Sequence, residues 1–186
     1  MATNKVHFGL KNVHYAVLTE GSPNSWATPV PILGGVSLDL SAEGERNDFF
    51  ADNMTYYSSI SNNGYSGTLE VAKLPETMLS DVFGQTSDAN GIAEYANVEP
   101  APFALLFQLD GDNHEDYYVF YRVLANRPPV TTETIGETKE PQTVSLDVRC
   151  LPLVTGDEAG LVKYRTKEAT PTATKEAWFS AVQLPV

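Results

Sequence analysis

The sequence predicts a mainly β fold with a small α component: two packed antiparallel sheets, as a sandwich or barrel, flanked by one short helix and carrying a long loop or hairpin extension. Three observations lead there. Apolar and polar residues alternate cleanly in several stretches, for example Val36, Leu38 and Leu40 against Ser37, Asp39 and Ser41, the two-residue period of a strand with one buried face. The stretches from Phe103 to Leu109 and from Tyr117 to Ala125 are apolar on both faces, as in strands covered from two sides. A three- and four-residue apolar spacing takes over after Pro75, at Met78, Leu79, Val82 and Phe83, and predicts a short helix.

A chain of 186 residues suffices for one well-packed domain and is short for two, so a single domain over 1–186 is expected. The 24 acidic and 12 basic side chains give a formal charge of -12. Such a surface repels phosphate, which argues against a protein that grips nucleic acid but not against one that lets it slide past. The N-terminal MATNKVHFGL has no basic patch leading into an apolar run, and no apolar stretch is long enough for a bilayer. The lone Cys150 leaves no internal disulfide, which suits folding in a reducing cytoplasm.

In chain order, Val6, Phe8 and Leu10 alternate, and the apolar set resumes one residue out of phase at Val13, Tyr15 and Val17. A turn or bulge near Lys11–Asn12 restores the facing. Residues 19–31, with Gly21, Pro23, Pro29 and Pro31, form a loop, and the strand of Val36 to Leu40 follows. From 43 to 63 the chain is polar like a loop, too long for an ordinary connection, and rich in large apolar residues: Phe49, Phe50, Met54, Tyr56, Tyr57 and Ile60. Leaving such side chains in water forgoes about 1.5–3 kcal/mol each, so this segment either folds back on its own core as a long hairpin or reaches a neighbouring subunit.

Tyr65, Gly67, Leu69 and Val71 then share one strand face, and Pro75 at the first helical position opens the short helix, which Gly84 ends in a left-handed conformation. Ile92 to Val98 makes a short edge strand. Cover for the second face of the two-sided strands must come from the helix, another sheet or another subunit. An arm spans about 126–141. Val144, Leu146, Val148 and Cys150 face inward on a late strand, Leu161 to Thr166 adds a short one, and an extension runs over about 153–186. Within it Thr174 caps a short helix in which Trp178, Ala181 and Val182 share a face.

Candidate chemistry is thin. DGDNHED, 110–116, offers oxygen ligands at alternating positions, yet it lacks the downstream glutamate of a helix-loop-helix calcium site and consists of hairpin-turn residues. Cys150 with His7, His14 or His114 is a conceivable thiol and base, but its inward phase makes it a packed thiol. The histidines lack metal-ligand spacing. We expect no enzyme, no cofactor and no metal.

Five pieces of the chain together resemble the major tail (tail-tube) protein family of long-tailed bacteriophages: VHFGLKNVHYAVLTE, the GxLExAxLP strand-to-helix passage, PFALLFQLDGD, ANRPPVTTETIGETKEPQTVSLDVRCLPL, and the late GLVKYRT with EAWFSAVQLP. The resemblance implies a virion protein, assembled in the host cytoplasm, whose copies form hexameric rings stacked into a tail tube of the non-contractile kind. It also implies partners: the protein itself, tail-tip and tail-completion proteins, a tape-measure protein in the lumen, and DNA that passes without specific binding. No membrane is involved. On this reading Phe49, Phe50, Met54, Tyr56, Tyr57 and Ile60 form the self-assembly interface. The alternative is a monomeric β-sandwich module that binds a surface carbohydrate on exposed aromatic rings, with Tyr56, Tyr57, Tyr65 and Tyr95 as stacking platforms.

Overall fold

A computed structural model describes residues 4–134 and 141–185. The out-of-phase N-terminal pattern folds as one strand, β1 (His7–Thr19), whose register slips between Lys11 and His14. Asn12 sits at that slip with φ of 49°, a left-handed conformation that asparagine tolerates. Beyond it Val13 and Tyr15 are buried on one face, Ala16 and Leu18 on the other. The expected loop at 19–31 carries two-residue strands, β2 (Ser25–Trp26) and β3 (Val30–Pro31), both paired to β1.

Next comes β4 (Gly35–Glu43), with Leu38 and Leu40 turned inward. Val36 does not share their face as its spacing implied: the register slips between Gly35 and Ser37, and Val36 is exposed. The segment after it forms β5 (Arg46–Ala51) and β6 (Met54–Ile60), and β7 (Gly64–Val71) then buries Leu69 and Val71. Helix α1 (Glu76–Asp81) starts one residue later than expected, with Pro75 as the capping residue. Gly84 ends the turn at φ of 62°, its N–H donating to the Ser80 carbonyl over 3.1 Å. The predicted edge strand shrinks to a two-residue pair, β8 (Thr86–Ser87) with β9 (Ile92–Ala93). The remaining elements are β10 (Phe103–Gly111), β11 (Asp116–Ala125), β12 (Val144–Leu151), β13 (Lys163–Arg165) and α2 (Thr172–Glu176). Of the expected arm at 126–141, residues 126–134 hold neither strand nor helix, and 135–140 lie outside the described residues.

The main sheet follows the antiparallel order β2-β1-β10-β11-β12-β7-β4, with β3 added on β1 and β13 on β11. It curls until its ends approach, Gly35 of β4 lying against Val13 and Leu10 of β1. One layer is therefore β1, β10 and β11, the other β12, β7 and β4. The principal core fills the space between them, where Phe103, Leu105 and Phe107 meet Leu69, Leu146, Val148 and Cys150. Helix α1 and the turn after it close one end, inserting Met78 from the helix and Val82 and Phe83 from the turn, and Tyr15 Oη donates to Asp81 over 3.1 Å.

The second face of β10 and β11 is covered from within the chain, not by α1 or by a neighbour. Ala104, Leu106, Val119 and Tyr121 pack under Leu153 and Trp178, so the C-terminal extension is a second core layer. The helix there is shorter than the sequence reading has it: α2 ends at Glu176, so Trp178, Ala181 and Val182 all lie beyond it. Thr174 lies inside α2, its N–H donating to the Pro171 carbonyl over 3.1 Å, because Pro171 holds the capping position; Ala181 is exposed. Trp178 Nε1 reaches the Tyr118 carbonyl at 3.4 Å, and the Tyr121 hydroxyl donates to the Gln183 carbonyl at 2.5 Å.

Burial also fixes protonation. It pushes the Cys150 thiol up to about 12 and raises Tyr121 as well; Tyr117 goes to about 12 through burial and then its hydrogen bond to Glu115. These groups hold their protons more tightly folded than unfolded, where they titrate near 9 for cysteine and 10 for tyrosine. Their contribution is complete below about pH 9 and is lost as pH rises towards 12. Urea midpoints should therefore fall as pH rises from about 9 to 11, and a flat profile over that range would contradict this burial.

Candidate functional site

Residues 43–63 form a hairpin, as one of the two sequence readings had it, but the hairpin does not fold back on the core. It is an arm. Asp52 and Asn53 both take positive φ, 53° and 60°, the two-residue turn whose twist matches antiparallel strands. Pairing runs Ala51 to Met54, Phe50 to Thr55 and Phe49 to Tyr57, which leaves Tyr56 at a bulge. Strand alternation then puts Phe49, Met54 and Tyr57 on one face and Phe50 and Ile60 on the other.

Both faces stand in water. Phe49, Phe50, Met54, Tyr56, Tyr57 and Ile60 are 62–79% exposed, and neither hydrophobic cluster includes them. Hydrogen bonds bridge the short gap between the β4–β7 pairing and the arm. Asn63 N–H donates to Glu43 O at 2.8 Å, Ser61 N–H to Glu45 O at 2.9 Å, and Glu45 N–H to Ser61 Oγ at 3.0 Å. Gly44 makes this junction possible, since any Cβ there would collide with the Ser61 carbonyl. At about 3.3 Å per strand residue, the nine positions from Gly44 to Asp52 carry the tip roughly 30 Å from the body.

A second surface sets the electrostatics. On the outer face of β4, β7 and β12 the register aligns three cross-strand rows: Ser37–Glu70–Ser145, Asp39–Thr68–Asp147 and Ser41–Ser66–Arg149. These rows are hydroxyls and carboxylates around one guanidinium. Thr143 first and Ser37 second donate to Glu70, at 2.6 and 3.0 Å, and hold its carboxyl below the ordinary range. The face is polar and net acidic.

Other sequence candidates are accounted for by structure. In the 110–116 loop Asn4 Oδ1 accepts from Asn113 and His114 N–H at 3.0 and 2.9 Å, Asp112 accepts from Lys5 N–H at 2.9 Å, and His7 Nε2 lies 2.8 Å from Asp116. These contacts tie the N-terminal segment to a hairpin turn. Among the described residues no three His, Cys, Asp or Glu are grouped to hold a metal ion. Cys150 sits in the inner core, whereas His14 stacks on Phe179 on the other side of the sheet, with ring centres 4.3 Å apart.

The four tyrosines of the carbohydrate reading do not share a surface role. Tyr56, Tyr57 and Tyr95 are exposed, but Tyr65 packs edge-on against Phe120 at 5.4 Å under Lys163. Trp178 is buried and Trp26 half-buried, its Nε1 donating to the Tyr121 carbonyl at 3.1 Å.

No family model matches the sequence, and no curated protein matches it significantly. Among the described residues no helix is long and apolar enough to cross a membrane.

Proposed function

We propose that this chain is a structural virion protein of a phage tail, self-assembling into stacked hexameric rings that form the tube through which DNA leaves the particle. The observation that carries the proposal is the arm: six large apolar side chains on the two faces of a two-stranded ribbon, exposed to water and outside both hydrophobic clusters of the described residues. Burying each against another copy contributes about 1.5–3 kcal/mol before ordering costs. An arm of this kind is a means of association. The ring number, the tape-measure and tail-tip partners and the virion location come from the resemblance of the five sequence pieces.

The lumen is best assigned to the outer face of β4, β7 and β12. Its hydroxyl and carboxylate rows repel phosphate and offer DNA nothing to hold, while the opposite sheet surface is closed off by the C-terminal segment. Asp39→Lys with Asp147→Lys should still give tubes, but DNA release should slow several-fold at low salt and recover at high salt. Unchanged release at low salt would move the lumen to another face.

The assembly proposal itself is tested by electron microscopy of purified protein at high concentration, with and without a nucleating tail-tip complex. The parent should give tubes. Phe49→Ser with Phe50→Ser should give a monomer with the parent's melting curve and no tubes. Normal tubes from that variant would overturn the proposal.

A further inference from the structure

The body offers a receptor for the arm. The core between the two layers is stoppered by α1 at the end where Val71 and Phe103 lie, but at the other end it opens into a cleft of about 270 Å³. Leu38, Leu40, Phe107 and Leu109 line it, and Tyr65 and Lys163 stand at its mouth, the Lys163 Nζ 4.4 Å from the centre of the Tyr65 ring. This volume lies below the roughly 300–1,000 Å³ of typical small-molecule pockets. It is sized for protruding side chains, and its wall is apolar with one cation.

The arm's tip carries the complementary set. Asp52 lies at the turn with Phe50 and Met54 close on either side, all of them exposed. Apolar side chains match the wall and a carboxylate matches the ammonium. The tip does not fill the cleft of its own chain: Phe50 and Met54 are 66% and 62% exposed, and no residue of the arm lines the cleft. Tyr65 of the mouth follows directly on Gly64, which pairs with Glu43 at the base of the arm, and the tip lies up to roughly 30 Å of strand beyond that base. The occupant must be a second copy.

We infer that the open cleft receives the arm tip of a second copy of this chain, with Phe50 and Met54 entering between the sheets and Asp52 facing Lys163. This rests on the reading of the arm as an assembly device and adds its docking site.

Two measurements test it. Leu40→Cys in one chain and Met54→Cys in another are mixed and mildly oxidised, with the buried Cys150 left in place. A disulfide between the two different chains is expected on a non-reducing gel. Separately, Lys163→Glu and Asp52→Lys, each with a parent-like melt, should raise the concentration needed for assembly at least tenfold, and the two combined in one chain should restore it.

A Met54–Met54 position cross-link alone would place tip against tip, and a disulfide within one chain carrying both cysteines would place the arm on its own body. Either result overturns the inference, as does a charge exchange without rescue. If the Phe49 and Phe50 serine variant loses tubes while these tests fail, the arm remains the assembly element and only its receptor is wrong. Tubes from that serine variant would instead remove the assembly reading itself.

Discussion

Val148→Asp should not fold. Val148 is 2% exposed, lies between Gly67 and Ala125 on the neighbouring strands, and belongs to the principal core. A carboxylate there is stripped of water among aliphatic side chains, and no cation belongs to the buried set around it. Its options are to stay charged at great cost or to take up a proton, and either leaves several kcal/mol of desolvation uncompensated. Against a total stability of about 5–15 kcal/mol, that loss removes the cooperative transition. Circular dichroism with a thermal scan should show no sigmoidal melt at pH 7, and Val148→Ala should melt cooperatively at a lower temperature. A Val148→Asp melt near the parent's temperature would mean that this face is wet.

Trp178→Ala should be the largest destabilisation outside the principal core, about 3–5 kcal/mol for loss of a buried large aromatic side chain. The indole is fully buried, stacks on Tyr164 at 5.8 Å, meets Tyr117 at 5.9 Å, and donates to the Tyr118 carbonyl. It joins the C-terminal segment to the outer face of β11, so its removal loosens the whole layer. Urea unfolding should show the loss, with Trp178→Phe recovering part of it. A change under 1 kcal/mol would show that Leu153, Phe179 and the Gln183 carbonyl hold the layer without the indole.

Much of this architecture was legible because strand alternation is local. The inward phases of Leu69, Leu146, Val148 and Cys150 and the bulge near Asn12 follow from a two-residue period that needs no partner. The short helix was legible for a similar reason, since Pro75 and Gly84 punctuate it. What the sequence could not show is what packs on what. The two-sided character of Phe103 to Ala125 demanded a cover but could not identify it, and Trp178 carries no signal that distinguishes a lid from a tail.

Val36 misled because a register slip depends on the partner strand. Thr174 misled because a proline three residues earlier already held the capping position. The candidate site was legible as an excess of aromatics in a polar segment, whereas its projection as a paired hairpin, its two apolar faces and the cleft at its base depend on pairing across the chain. The acidic rows were present as alternation in three separate strands, and only the register of β4, β7 and β12 aligned them.

The cover supplied by Trp178 and its neighbours also sets a timetable. On the ribosome β10 and β11 are complete about fifty residues before the indole that shields them, a delay of roughly 3–10 seconds at 5–20 residues per second. During that interval Ala104, Leu106, Val119 and Tyr121 are an open apolar surface on a nascent chain, beside an arm that is apolar already. Crowded polysomes therefore expose two adhesive surfaces in succession, and the second of them closes only when the C-terminal segment arrives.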